Sequence, residues 1–148
     1  MSESVSAEIE IAAPIADTYD AMMDPGRLGE WVTIHRDVSD TPEPPLSEGD
    51  SFEQKLALAG KSFTVRWTVT RADPPETADW DGRGPAGSGA RVAYRLEVAG
   101  DATRVRYENA FDFPAGFLGR AAGRLLVRAP AEKEAGRSLE RLKALLES

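Results

Sequence analysis

Between residues 51 and 113 one pattern keeps returning: apolar and polar side chains alternate, stop at a turn, and resume. Phe52, Gln54, Leu56 and Leu58 share a face. After a turn at Gly60, Phe63, Val65, Trp67 and Val69 share the next, opposite Thr64, Arg66, Thr68 and Thr70. Pro74-Pro75 interrupts the chain, a shorter strand carries Trp80, and GRGPAGSG leads into Val92, Tyr94, Leu96 and Val98. Gly100-Asp101 reads as one more turn before Val105, Tyr107, Asn109, Phe111 and Phe113. A period of two marks a strand buried on one side only. Strands joined by short turns pair antiparallel. The chain must therefore supply something to cover one face of a sheet.

The segments on either side supply it. Ser4 to Ile11 alternates, with Val5, Ala7, Ile9 and Ile11 on one face, and ends at AAP. Pro14 suits a first helical position, because its missing N–H would have lacked a partner anyway, and Ile15, Tyr19, Met22 and Met23 recur at helical spacing. Asp24 and Pro25 start a second short helix with Leu28 and Trp31 on its apolar side. The segment TPEPPLSEGD, with Pro42, Pro44 and Pro45, is an exposed loop. From about Ala115 the pattern is helical. Leu118, Ala121, Ala122, Leu125, Leu126 and Ala129 form one stripe, with Arg120, Arg124 and Arg128 away from it. Beyond Pro130 the stripe of Ala135, Leu139, Leu142 and Leu146 is turned by about a third of a turn, so a kink or break is expected at that proline. The sum is an α+β architecture in one domain, residues 1–148, without repeats.

Composition narrows the chemistry. With no cysteine and one histidine, thiolate chemistry and a His- or Cys-based zinc site are excluded. Asp79 and Asp81 are the nearest approach to a carboxylate metal site and read better as an exposed strand face, so neither metal nor cofactor is expected. A net charge of −7 argues against nucleic acid as a partner. The charge is uneven: residues 1–113 carry a net −10 and residues 114–148 a net +3. No apolar run approaches the roughly 20 residues of a transmembrane helix, and the first residues lack the basic and apolar regions of a secretory signal. A cytoplasmic location is expected.

The stretch IEIAAPIADTYDAMMDPGRLGEW resembles the opening of START-like proteins, the SRPBCC superfamily of polyketide cyclase/dehydrases and lipid-transfer domains. EGDSFEQKL, the pair Pro74-Pro75 and SLERLKALLES extend the likeness over nearly the whole chain. WVTIHRDV and KSFTVRWTV further resemble an actinobacterial branch, one member of which is a toxin of a toxin–antitoxin pair. The resemblance implies the helix-grip fold, a seven-stranded curved antiparallel sheet around a long C-terminal helix with two short helices after the first strand. It also implies an elongated hydrophobic cavity between them.

Alternation then names the side chains that face such a cavity: Phe52, Val65, Trp67, Trp80, Val92 and Phe111 from the strands, Trp31 from the second short helix, and Leu118, Ala122 and Leu125 from the closing helix. Among them lie Gln54, Tyr94, Tyr107 and Asn109. A buried amide or phenol without a partner costs about 1–3 kcal/mol, so these four bond to one another, to water or to a ligand. An apolar pocket with a few convergent polar groups is the general form of a small-molecule site. The reading is a domain that binds a hydrophobic or amphipathic small molecule, lipid or polyketide-like. One alternative is a cyclase/dehydrase-type enzyme moving a proton with His35, Tyr94 or Tyr107. The other is an interaction protein such as a toxin, using Arg120, Arg124 and Arg128. His35 opens the second strand, beside the expected cavity mouth, with Arg36 and Asp37 as neighbours. The text match Gly82-x-Gly84-x-x-Gly87 to a dinucleotide fingerprint is read as a hairpin loop, because it contains Pro85 and leads into a strand. The residues leave the oligomeric state and the ligand's identity open.

Overall fold

The computed structural model describes residues 3–58, 60–112 and 123–148, with side chains described for 4–58, 60–112 and 130–148. Seven strands form one antiparallel sheet: β1 (Glu3–Ile11), β2 (His35–Ser39), β3 (Ser51–Leu58), β4 (Lys61–Asp73), β5 (Thr77–Arg83), β6 (Gly89–Ala99) and β7 (Ala102–Asp112). Their spatial order is β1-β7-β6-β5-β4-β3-β2. From β3 to β7 every neighbour is a sequence neighbour, as the chain of hairpins requires. The exception is β1, which pairs with the last strand. The chain must then travel from one sheet edge to the other, and helices α1 (Ile15–Met22) and α2 (Leu28–Trp31), with the 3-10 turn Pro25–Arg27 between them, carry it there.

The caps follow local chemistry. Asp24 precedes the 3-10 turn and accepts a hydrogen bond from the Gly26 N–H at 2.9 Å, with Pro25 in the first position. Pro14 lies one residue before α1, as its N-cap. The closing helix α3 (Gly123–Glu147) packs mainly along β1 and against α2. It runs through Pro130 without interruption, so no break occurs there. The packing of Ala131, Ala135, Leu139 and Leu142, all buried, offsets the hydrogen bond the proline removes.

The strand faces fall as alternation dictates, with one correction. Val98 is 67% exposed although it continues the buried series Val92, Tyr94, Leu96. It lies near the tip of the β6–β7 hairpin, one pair from the Ala99–Ala102 end, and lacks a covering layer. Alternation shows which side of a strand faces inward and not how far the covering layer reaches. The outward face of the sheet carries ion pairs such as Arg95–Asp79 at 2.7 Å and Arg104–Glu97 at 2.8 Å. Asp81 is exposed on the same strand. No group of three or more His, Asp or Glu gathers among the described residues.

Gly82 follows from register. It pairs with Trp67 across β4 and β5, and a Cβ there would stand 2.7 Å from the indole Cε3 and 2.6 Å from Val65 Cγ1. The indole rests on bare backbone. Gly87, at φ +80°, takes the left-handed turn conformation. Gly82 and Gly87 of the supposed fingerprint thus serve a hairpin.

Candidate functional site

The inner face of the sheet carries an aromatic layer. Tyr94 and Tyr107 are directly paired across β6 and β7 with ring centroids 5.7 Å apart, and Trp31 of α2 packs on both, at 6.1 and 5.9 Å. Trp80 meets Tyr94 at 5.3 Å, Trp67 at 5.7 Å and Phe52 at 5.4 Å, in edge-to-face geometries. Such pairs contribute about 0.5–1.5 kcal/mol each beyond the area they bury.

Two polar systems cross this layer. In the first, Trp67 Nε1–H donates to Gln54 Oε1 at 2.9 Å, and Gln54 Nε2 lies 2.9 Å from His35 Nδ1. An indole N–H can only donate, which fixes the carbonyl end of Gln54 toward Trp67 and its NH₂ toward His35. His35 Nδ1 must then accept, so the neutral imidazole carries its proton on Nε2. A shift of register between His35 and Asp37, where β2 meets β3, marks a bulge in the edge strand, and bulges re-aim side chains. Arg36 and Asp37 turn to solvent. Arg36 Nη1 donates to the Thr33 and His35 carbonyls, and Asp37 accepts from the Val38 N–H. Partial burial holds the His35 imidazole below its ordinary 6.5, against a smaller upward pull from Asp37 and with a smaller downward push from Arg36.

The second system lies on β7. Asn109 Nδ2 donates to the Tyr107 hydroxyl oxygen at 2.8 Å. The opposite end of that amide, Oδ1, is buried with no partner among the described residues, as are the indole nitrogens of Trp80 and Trp31. Burial raises the Tyr94 and Tyr107 phenols well above the usual 10, so both stay protonated at any physiological pH.

These groups meet in a chamber of about 20 Å³. That is space for one water molecule. Of the residues expected there, Gln54, Trp67, Trp80, Val92, Tyr94, Tyr107, Asn109 and Phe111 line it. Trp31, Phe52 and Val65 are buried behind the lining. Leu28, Val32 and Ile34, around the junction of α2 and β2, line it too and had not been singled out. Their signal was in the sequence, since Leu28 sits on an apolar stripe and Val32 and Ile34 flank one polar residue. Leu118 and Ala122, and the side chains of Leu125, Arg124 and Arg128, lie outside the described residues, as do Arg120 and Phe113. His35 does not line the chamber. It stands at the rim, half-buried, against α2, where a Cβ added to Gly29 would be 3.3 Å from its ring.

A curved antiparallel sheet closed by a C-terminal helix, with two short helices bridging its edges, is the helix-grip architecture. Residues 2–147 match the family described as polyketide cyclase/dehydrase and lipid transport, and the chain belongs to that family. An uncharacterised protein of Mycobacterium tuberculosis, Rv1546, is 32% identical over 132 residues, covering 86% of this chain and 92% of the relative. The toxin Rv0910 of the same organism is 28% identical over 83 residues, 56% of this chain and 58% of the toxin. Among solved structures, protein CV1439 of Chromobacterium violaceum superposes with a TM-score of 0.74 at 15% identity, covering 98% of this chain and 97% of that one. At that identity the likeness is one of fold.

Proposed function

We propose that the protein binds a hydrophobic or amphipathic small molecule, lipid or polyketide-like, between the inner face of the sheet and α3. The observation that carries the reading is the pair of unpartnered groups in the chamber lining, the Trp80 indole N–H and the Asn109 carbonyl. Each costs about 1–3 kcal/mol when left unsatisfied, a cost a guest removes. Family membership supports a hydrophobic ligand. Between the described walls there is space for one water, so a larger guest has to push the covering layer away from the sheet. The α2–β2 junction is the natural place, since Leu28, Val32 and Ile34 line the chamber there.

The enzyme reading needs a base within reach of the guest. Tyr94 and Tyr107 can donate hydrogen bonds but are held protonated, and His35 faces Gln54 rather than the chamber. Ligand binding without catalysis is therefore preferred. The test is to denature the purified protein and identify by mass spectrometry what is released. An apolar molecule in near-stoichiometric amount supports the proposal. Nothing released, together with a melting temperature unmoved by a panel of hydrophobic compounds, overturns it.

A further inference from the structure

We infer that the chamber selects an uncharged guest bearing a hydroxyl on an apolar body, and rejects the matching carboxylate; this rests on the ligand-binding reading above. The argument is an inventory of what the lining still has to offer. Gln54 is spent at both ends, on Trp67 and His35. Asn109 has spent its NH₂ on Tyr107. What remains among the described residues is one donor and one acceptor buried without a partner, Trp80 Nε1–H and Asn109 Oδ1, with the phenol hydroxyls of Tyr94 and Tyr107 beside them, which can also donate.

Register places the two unpartnered groups. Trp80 pairs with Val92 across β5 and β6, and Val92 pairs with Asn109 across β6 and β7, so the donor and the acceptor flank Val92 on one face of the sheet. A hydroxyl both accepts and donates, and so complements this pair. A carboxylate only accepts. It would leave Asn109 Oδ1 unpartnered and confront it with a second negative oxygen.

Charge points the same way. Among the described residues, no Lys, Arg or His lines the chamber. Arg91 and Arg95 on β6 alternate with Val92 and Tyr94 and so belong to the outer face, where Arg95 pairs with Asp79. The ionisable residue lining the smaller void behind Asn109 and Tyr107 is an acid, Glu134. A buried carboxylate without a cation beside it is among the least favourable guests a protein interior can take.

The test uses three probes of one shape: 2-naphthol, 2-naphthoate and naphthalene, titrated into the full chain by calorimetry at about pH 7.5, where the naphthol is neutral. 2-Naphthol is expected to bind at least tenfold more tightly than 2-naphthoate, roughly the smallest margin expected for burying an unpaired charge. Its advantage over naphthalene should shrink in Trp80→Phe, which keeps the ring and loses the N–H, and in Asn109→Leu, with melting temperatures confirming that both variants fold. Naphthoate binding as well as naphthol or better overturns this inference and leaves the ligand-binding reading standing. An advantage over naphthalene that persists in both variants overturns the assignment to Trp80 and Asn109. Failure of all three probes to bind counts against the reading itself.

Discussion

At the scale of single residues, the row Trp67–Gln54–His35 has a direction imposed by its inner end. Because the indole can only donate, every bond outward from it is fixed, and a proton added to His35 Nδ1 would face the Gln54 NH₂. Partial burial, against the upward pull of Asp37 and helped by Arg36, depresses the folded pKa of His35 relative to the unfolded 6.5. The sign follows: the unfolded chain binds the proton more readily, so the contribution to stability is complete above pH 6.5. It is lost as pH falls through the folded value. Urea midpoints measured between about pH 7.5 and 5 should decline more in the native chain than in His35→Asn. As the only histidine, its ring-proton NMR signal reports the titration directly. Gln54→Leu should cost about 1–3 kcal/mol, read from chemical denaturation, because it leaves a buried indole N–H without an acceptor. Gly82→Ala should cost about 1–3 kcal/mol as well, with loss of near-UV circular dichroism, since the new methyl meets Trp67 and Val65.

At the scale of elements, α3 is fastened at two places. The Glu147 carboxylate accepts from the Ala12 N–H at 2.7 Å and from Lys143 Nζ at 2.6 Å, while Lys143 also donates to the Glu10 carbonyl at 3.0 Å. One helical turn and more away, Ser138 Oγ accepts from the Thr33 N–H at 3.0 Å, tying the α2–β2 junction to the same helix. Ser138→Ala removes that tie, worth about 1 kcal/mol, and should raise the rate of probe association about fivefold by populating an opened junction more often. An unchanged association rate in stopped-flow fluorescence would mean that guests enter elsewhere. The elements were mostly legible in the sequence. A period of two and turn residues such as Gly60, Pro74-Pro75 and Gly100-Asp101 are local signals, and β3 to β7 follow from them. Three features were not legible. Pro130 lies within an unbroken helix because packing on the sheet outweighs a local penalty, and Val98 is exposed because the covering layer ends before it. The pairing of His35 with Gln54, nineteen residues apart, depends on an edge-strand bulge that no local pattern announces.

At the scale of the whole molecule, sheet and helix clasp an interior that is apolar in bulk yet keeps two donors, the Trp31 and Trp80 indole N–H groups, and one acceptor, Asn109 Oδ1, without partners among the described residues. Gln54, Tyr94, Tyr107 and Asn109 could be read from sequence as inward polar groups. Which of them satisfy one another could not, because that depends on cross-strand geometry. In the folded protein Gln54 is satisfied at both ends and Asn109 at one. The unsatisfied end is what a guest can use. The protein has three tryptophans, so its indole N–H groups give three resolved reporters in a nitrogen–proton NMR spectrum. Titration with 2-naphthol should move the Trp80 indole signal downfield as its N–H gains an acceptor, while that of Trp67, already bonded to Gln54, shifts little. Saturable binding with the Trp80 signal unmoved would contradict the central claim that the vacant donor inside the grip is where the guest is held.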